Sequence, residues 1–329
     1  MSLDSIAEVG SAVGEGDRRA VARTITWLES TRSDHAARGQ AILETLVSKT
    51  GGAVRVGVTG PPGVGKSTFI EAMGLSLIEQ GYRVAVLAVD PSSPVTGGSI
   101  LGDKTRMERL AQHPKAFIRP SPSGGSLGGV AQRTREAMLV CEAAGYDVIL
   151  IETVGIGQSE ITVASMVDFF LVLLLPAGGD ELQGIKRGVM ELADALVVNK
   201  ADGDTRPAAE RTLAEYGSAL ELIRPTSEAW KPRALMASAQ TGEGIEAIRE
   251  AIFAHREALV EAGVFDVRRR EQARAWMWSL LEEQIQRSFR EDQDVKDVIP
   301  GLEADVAALR TTPGAAVREL MAVFRKELA

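Results

Sequence analysis

The chain has 329 residues, about twice the size of a common single domain, so one large domain with extensions and two domains both fit its length. Its 37 basic and 45 acidic residues give a net charge of −8, which argues against non-specific binding to nucleic acid or to an anionic membrane as the main task. One cysteine, Cys141, excludes an internal disulfide and a four-cysteine zinc site, and three dispersed histidines disfavour a histidine-rich metal site.

The N-terminal sequence MSLDSIAEVGSAVGEGD contains acidic residues and no apolar core, unlike a secretory signal peptide. The longest apolar run, Phe169 to Leu175, has seven residues and is followed by Pro176. A membrane-spanning helix needs about 20 such residues. We therefore expect a cytoplasmic protein that binds neither membranes nor nucleic acid.

Residues 17–49 have helical periodicity and predict a helical hairpin ahead of the main domain. From Val54 onward, short β-branched runs alternate with amphipathic segments, of which 67–80 and 129–144 are long enough for crossover helices. This pattern predicts an α/β fold with a mostly parallel central sheet that helices cover on both faces. The predicted strands are residues 54–59, 83–90, 116–120, 147–153, 169–175, 195–199 and 234–238.

The chain after Gly242 is predicted to be helical. One helix begins at Ile245, and a second, at about 271–289, has an apolar stripe along one side. Pro300–Gly301 is expected to interrupt the helical region. A last helix is expected to begin at Thr312–Pro313, which is a good N-cap and first-turn pair.

The sequence GPPGVGKS, from Gly60 to Ser67, matches G-x-x-x-x-G-K-[ST] and lies between a predicted strand and a predicted helix. Such a loop offers a phosphate a nest of backbone N–H groups at the positive end of a helix dipole. Lys66 is expected to reach the β- and γ-phosphate oxygens, and the Ser67 hydroxyl to bind Mg²⁺. The predicted phosphate-binding residues are Gly60, Pro61, Pro62, Gly63, Val64, Gly65, Lys66, Ser67 and Thr68.

The sequence NKAD, at 199–202, directly follows the apolar run ALVV. An aspartate at Asp202 can accept hydrogen bonds from both N1–H and the 2-amino group of guanine, a pair of donors that adenine lacks. The motif therefore favours GTP over ATP, with the Lys200 stem against the base. After the last strand, SAQTG would supply backbone contacts to the guanine carbonyl. The predicted base-binding residues are Asn199, Lys200, Asp202, Ser238, Ala239 and Gln240.

Three carboxylates lie where they could hold Mg²⁺ directly or through water: Asp90 and Glu152 at strand ends, and Asp103 in GGSILGDKTRM. In ETVG, Ile156 follows Gly155, where common small GTPases have a glutamine that orients the attacking water, so slow intrinsic hydrolysis is expected. The predicted metal ligands are Ser67, Asp90, Asp103 and Glu152. The predicted catalytic residues are Lys66, Asp90, Asp103 and Glu152.

Two glycine-rich stretches, 120–130 and 175–188, flank predicted strands. Loops of this kind can order and disorder with the γ-phosphate, and they can equally be plain connectors. The one basic run, at 268–270, is interpreted as a solvated helix start.

The motifs GPPGVGKST, VDPSSP, GGSILGDKTRM, RPSPSGGSLGG, ETVGIGQSE and NKAD, in this order between about Gly51 and Gly244, together resemble the MeaB (ArgK-type) family. This family comprises GTPase chaperones of adenosylcobalamin-dependent methylmalonyl-CoA mutase. The resemblance implies GTP/GDP and Mg²⁺ as cofactors. It also implies Mg²⁺ binding by Ser67 with help from Asp90, Asp103 and Glu152, the last in the switch II motif.

The resemblance further implies that the protein gates cofactor loading and protects the mutase from inactivation. It implies a homodimer built by the C-terminal arm and an additional switch at Gly178 to Gly188, which includes Asp180 and Lys186. We therefore predict three parts: an N-terminal helical extension at 1–50, a P-loop GTPase domain at 51–262 and a C-terminal helical dimerisation arm at 263–329.

Three alternatives remain. A GTPase metallochaperone for another metalloenzyme shares the fold, but such proteins usually carry Cys and His clusters. An ATP-dependent kinase or partitioning ATPase would require NKAD to be accidental. A non-catalytic nucleotide-binding scaffold is disfavoured by Lys66, Ser67 and the strand-end carboxylates. Nucleotide preference and phosphate release distinguish the last two from a GTPase.

Overall fold

The computed structural model describes residues 5–89, 107–121, 127–153, 158–176, 187–223 and 225–327. By its internal contacts the chain divides into two compact units, Met1–Arg269 and Arg270–Ala329. The predicted three-part division at residues 50 and 262 stays a prediction. Among the described residues, none of the helices combines the length and the apolar character that a bilayer crossing requires.

All seven predicted strands are confirmed. They are β1 (Val54–Thr59), β2 (Val84–Val89), β3 (Ala116–Ser121), β4 (Val148–Thr153), β5 (Phe169–Leu174), β6 (Ala195–Val198) and β7 (Arg233–Met236). Every neighbouring pair is parallel, in the order β3-β2-β4-β1-β5-β6-β7. The near-continuous apolar sequences of β4 and β5 suit strands that are buried on both faces.

Thirteen α-helices lie in the described part of the chain. They are α1 (Ile6–Gly14), α2 (Arg18–Leu28), α3 (Ser33–Leu46), α4 (Lys66–Glu79), α5 (Glu108–Gln112), α6 (Leu127–Ala143), α7 (Gln158–Ala164), α8 (Arg187–Met190), α9 (Arg206–Glu221), α10 (Ile245–Glu261), α11 (Phe265–Glu291), α12 (Gln293–Ala307) and α13 (Pro313–Glu327). Short 3₁₀ helices occupy Val47–Lys49 and Gly203–Thr205.

Two apolar cores lie on opposite faces of the sheet, as the α/β prediction requires. Along β4, Val148 and Leu150 join the core that contains α4 and α10. Ile149 and Ile151 join the other core, which contains α1, α2, α3, α6 and α9. Successive residues of a strand point to opposite faces, so a run of apolar residues serves both cores.

The N-terminal hairpin is confirmed as α2 and α3, but α1 is not predicted by the sequence pattern. Ser5 and Glu8 form a capping box at the start of α1: the Ser5 hydroxyl accepts from Glu8 N at 3.1 Å, and the Glu8 carboxylate accepts from Ser5 N at 3.3 Å. Val9 and Val13 are buried in the core below. Capping and burial therefore stabilise a helix whose sequence contains two glycines.

Two expectations about helices are wrong. Residues 127–130 of the glycine-rich stretch are the first turn of α6 rather than a loop. Pro300–Gly301 does not interrupt the chain, because α12 continues through it. A proline inside a helix costs about 3 kcal/mol of stability. Pro300 and Gly301 are exposed, whereas Val295 and Leu302, on the other side of α12, are buried, and their burial offsets this cost.

The second unit contains the rest of α11 with α12 and α13. Phe289 of α11 and Phe324 of α13 meet edge to face, with ring centroids 5.3 Å apart. The predicted cap of the last helix is confirmed, because the Thr312 hydroxyl accepts from Ala315 N at 3.2 Å.

Candidate functional site

The loop between β1 and α4 lies where β1 meets β4 on one side and β5 on the other, at the carboxyl edge of the sheet. Gly60 and Gly65 in this loop have φ angles of 151° and 92°. A Cβ at Gly60 would lie 2.6 Å from the Leu173 carbonyl oxygen, and one at Gly65 would lie 3.0 Å from Asn199 Nδ2. Both positions therefore require glycine, the residue that lets backbone N–H groups approach a phosphate closely.

Lys66, the first residue of α4, folds back over this loop. Its Nζ donates to the carbonyl oxygens of Gly60 at 2.8 Å and Pro61 at 3.2 Å. Burial lowers the pKa of Lys66 from its ordinary value, and the nearby carboxylates of Glu152 and Glu160 partly oppose this effect. The side chain is thus a half-buried donor held at the loop where a phosphate would bind.

Ser67 and Glu152, two of the predicted metal ligands, are brought together from positions 85 residues apart. The Ser67 hydroxyl donates to Glu152 Oε1 at 3.1 Å, and each residue is only 9% exposed. A hydroxyl and a carboxylate are hard oxygen donors, so this pair fits Mg²⁺. In the described ranges, no group of three or more His, Cys, Asp or Glu residues could hold a metal ion. Mg²⁺ sites often use only one or two carboxylates with phosphate oxygens.

Asn199 connects the phosphate loop with the segment after β7. Its Nδ2 donates to the Val64 carbonyl oxygen at 2.8 Å, and its Oδ1 accepts from Ala239 N at 3.2 Å. The side chain is buried. Two of the predicted loops are therefore held at the same edge of the sheet by one amide group.

The rest of the predicted base-binding segment lies beside Asn199. Ala201 N donates to the Ala237 carbonyl oxygen at 3.0 Å, which joins the NKAD segment to the end of β7. Asp202 is half-buried, and its carbonyl oxygen accepts from the Thr205 hydroxyl at 2.7 Å. The buried Ser238 hydroxyl accepts from Thr241 N at 3.2 Å, and this contact shapes the turn after β7.

Several predicted site residues cannot be placed. Asp90, Asp103, Gly155 and Ile156 lie outside the described residues, as do most of the residues in the predicted switch at 178–188. One further residue near Lys66 is not predicted from the motifs: Glu160, which is buried in the first turn of α7 and acts electrostatically on Lys66. Its place inside the ETVGIGQSE motif was the available clue.

Known proteins are similar to this chain over most of its length. The family model described as methylmalonyl Co-A mutase-associated GTPase MeaB matches residues 21–294. A Caulobacter vibrioides protein named as a GTPase is 53% identical, and the match covers 94% of each chain. The GTPase ArgK of Escherichia coli is 49% identical over 85% of each chain. The mouse protein named methylmalonic aciduria type A homolog, mitochondrial, is 46% identical over 94% of this chain and 77% of its own.

A solved structure has the same fold over nearly the whole chain. The crystal structure described as LAO/AO transport system kinase matches with a TM-score of 0.78 and 38% identity, over 97% of both chains. A family match over most of the chain and relatives at this level of identity agree with each other. The chain belongs to the MeaB family of methylmalonyl-CoA mutase-associated GTPases.

Proposed function

We propose that this chain is a Mg²⁺-dependent GTPase with a slow intrinsic rate, which binds methylmalonyl-CoA mutase, gates adenosylcobalamin loading and protects the mutase from inactivation. The observation that carries the proposal is the hydrogen bonding of Asn199 to both the phosphate loop and the turn after β7. This side chain holds two segments at the same edge of the sheet: the loop that we propose to bind the triphosphate and the segment that we propose to bind guanine. One nucleotide can then contact both.

The residues of the loop bind the phosphates. The backbone N–H groups that precede α4 donate hydrogen bonds to the phosphate oxygens, and Lys66 exchanges the carbonyl oxygens of Gly60 and Pro61 for β- and γ-phosphate oxygens. At the other end of the nucleotide, Asp202 accepts from the guanine ring. The protein therefore binds GTP through charge at one end and through hydrogen-bond pattern at the other.

Ser67 and Glu152 would hold Mg²⁺, with Asp90 and Asp103 as further proposed ligands. When bound, Mg²⁺ supplies charge neutralisation at the β- and γ-phosphates. The direct Ser67–Glu152 hydrogen bond keeps both oxygen donors next to the start of α4. The residue directly after Gly155 is Ile156 and not a glutamine, so no obvious group orients the attacking water, and the intrinsic rate is expected to be slow.

The partner follows from the family rather than from the nucleotide site. The matched family is described as mutase-associated, and the mouse relative is named for methylmalonic aciduria. We propose that the nucleotide state is transmitted to the mutase through residues 178–188, including Asp180 and Lys186.

Retention on a mutase column tests the partner. Purified chain should hydrolyse GTP but not ATP, and immobilised methylmalonyl-CoA mutase should retain it to different extents with a non-hydrolysable GTP analogue and with GDP. An immobilised cobalamin-independent enzyme is the control. GTP hydrolysis without retention in either nucleotide state would contradict the mutase assignment and would favour the alternative of a metallochaperone for another enzyme.

A homodimer through the C-terminal arm is also proposed. Four apolar side chains on one side of α11 are exposed in the single chain: Met277, Trp278, Leu281 and Ile285. Ile285, for example, is 52% exposed. On α13, Val317 and Met321 are exposed as well. Apolar stripes of this size in water favour association, and a second copy of the arm would cover them.

The double variant Leu281→Glu, Ile285→Glu is expected to convert a dimer into a monomer, because two charges would be buried in the proposed interface without partners. Light scattering measures the mass. Gln286→Glu, an exposed change on a different side of the same helix, is the control and should remain dimeric. A wild-type chain that is already monomeric would contradict the proposal.

A further inference from the structure

Two buried threonines join the ends of β1 and β4 by their side chains. The Thr153 hydroxyl donates to Thr59 Oγ1 at 2.7 Å, and the two residues are 0% and 1% exposed. The backbone pairing of these parallel strands ends at Val58 and Glu152. The hydroxyl pair therefore continues the contact between the strands one residue further, to the point where both chains leave the sheet.

Stability alone does not require this pair. A buried hydroxyl is costly unless it is hydrogen-bonded, and replacing both partners by apolar groups of the same shape can be nearly neutral. Valine has the shape of threonine and an equal preference for strands. Two valines would fill the same space, but apolar packing has no preferred direction. A hydrogen bond between two hydroxyls has a preferred length and angle, so it fixes the distance between the strand ends.

The neighbours of the pair are residues of the nucleotide site. Thr59 precedes Gly60, whose carbonyl oxygen accepts from Lys66. Thr153 follows Glu152, whose carboxylate accepts from Ser67. Side chains alternate along a strand, so the threonines lie on the face of the sheet opposite Glu152. The hydroxyl pair is therefore behind the site, on the strand ends that carry it.

We propose that Thr59 and Thr153 are positioning residues for GTP hydrolysis. Their hydrogen bond fixes the carboxyl ends of β1 and β4 relative to each other, and so fixes the Glu152 carboxylate relative to Lys66 and Ser67. This inference rests on the proposed GTPase function. Both threonines are buried and neither is among the predicted nucleotide-binding residues, so the pair should affect the rate rather than nucleotide binding.

Isosteric substitution separates positioning from packing. Thr153→Val and the double variant Thr59→Val, Thr153→Val should lower kcat for GTP by roughly ten- to a hundredfold, the size of effect that small misplacements of reacting groups produce. The KM for GTP and the affinity for a fluorescent GDP analogue without Mg²⁺ should stay close to wild type. Thr153→Ser, which restores a hydroxyl, should recover most of the rate.

Thr24→Val is the matched control, because Thr24 is a fully buried threonine whose hydroxyl has no hydrogen-bond partner in the described part of the chain. It should leave kcat unchanged. Thermal unfolding monitors the fold of each variant. If Thr153→Val alone does not fold, the double variant, in which no hydroxyl is left unpaired, gives the result.

The outcomes distinguish this inference from the function on which it rests. A wild-type chain without GTPase activity would contradict the proposed function. An active wild type together with a folded double variant of equal kcat would overturn the positioning role alone. The same holds if Thr153→Ser is as slow as Thr153→Val, because the loss would then follow side-chain shape rather than the hydroxyl.

Discussion

Lys66→Ala is expected to reduce GTP hydrolysis by roughly 10²–10³-fold or more while the protein remains folded. The Lys66 ammonium lies at the phosphate loop, where it donates hydrogen bonds to the carbonyl oxygens of Gly60 and Pro61. Without it, the charge that develops on the transferring phosphoryl group loses its neutralising partner. Two hydrogen bonds from a charged donor, each worth about 1.5–3 kcal/mol, are lost with the side chain, and the cost of burying the ammonium is removed at the same time.

The control for this variant is Lys115→Ala. Lys115 also donates from Nζ to a backbone carbonyl, that of Gly81, at 3.0 Å, but it precedes β3 and so lies at the amino edge of the sheet. Phosphate release under saturating GTP gives the rate, and circular dichroism checks the fold. Normal turnover by folded Lys66→Ala would contradict the assignment of the phosphate loop.

The strands were predictable because a run of consecutive apolar residues, visible within six residues of sequence, is typical of a strand in a parallel sheet. Near-continuous apolar runs such as those in VILIET and FFLVLL leave few alternatives to a strand buried on both faces. The helix errors have a different origin. The sequence of α1 has weak helical preference, and burial of Val9 and Val13 decides its conformation. In α12 the burial of Val295 and Leu302 outweighs the local effect of Pro300.

The residues of the site were predictable because phosphate and guanine recognition impose short motifs with fixed spacing. The contacts between motifs were not. The hydrogen bond from Ser67 to Glu152 and those of Asn199 to Val64 and Ala239 join distant segments, and they depend on the strand order. Thr59 and Thr153 give no clue in the sequence, because a threonine at a strand end is an ordinary β-branched residue.

Asp202→Asn is expected to shift the base preference of the site from guanine towards xanthine. A carboxylate accepts from both N1–H and the 2-amino group of guanine, whereas the asparagine NH₂ would face the guanine amino group, donor against donor. Losing such a charge-assisted contact and leaving a donor unsatisfied costs roughly 2–4 kcal/mol, a factor of about 30 to 1,000 in GTP affinity.

Xanthine carries an oxygen where guanine has the amino group, so the asparagine NH₂ can donate to it while the asparagine oxygen still accepts from N1–H. XTP should therefore bind Asp202→Asn more tightly than it binds the wild type. The substitution keeps the shape of the side chain, and the Thr205 contact is to the Asp202 backbone, so the loop should keep its conformation.

Asp204→Asn, an exposed change two residues later, is the matched control for the loss of one negative charge. Calorimetric titration measures the affinities of the wild type and of both variants for GTP and for XTP. Equal GTP affinity in wild type and Asp202→Asn would mean that NKAD does not recognise the base, and an ATP-dependent enzyme would again have to be considered.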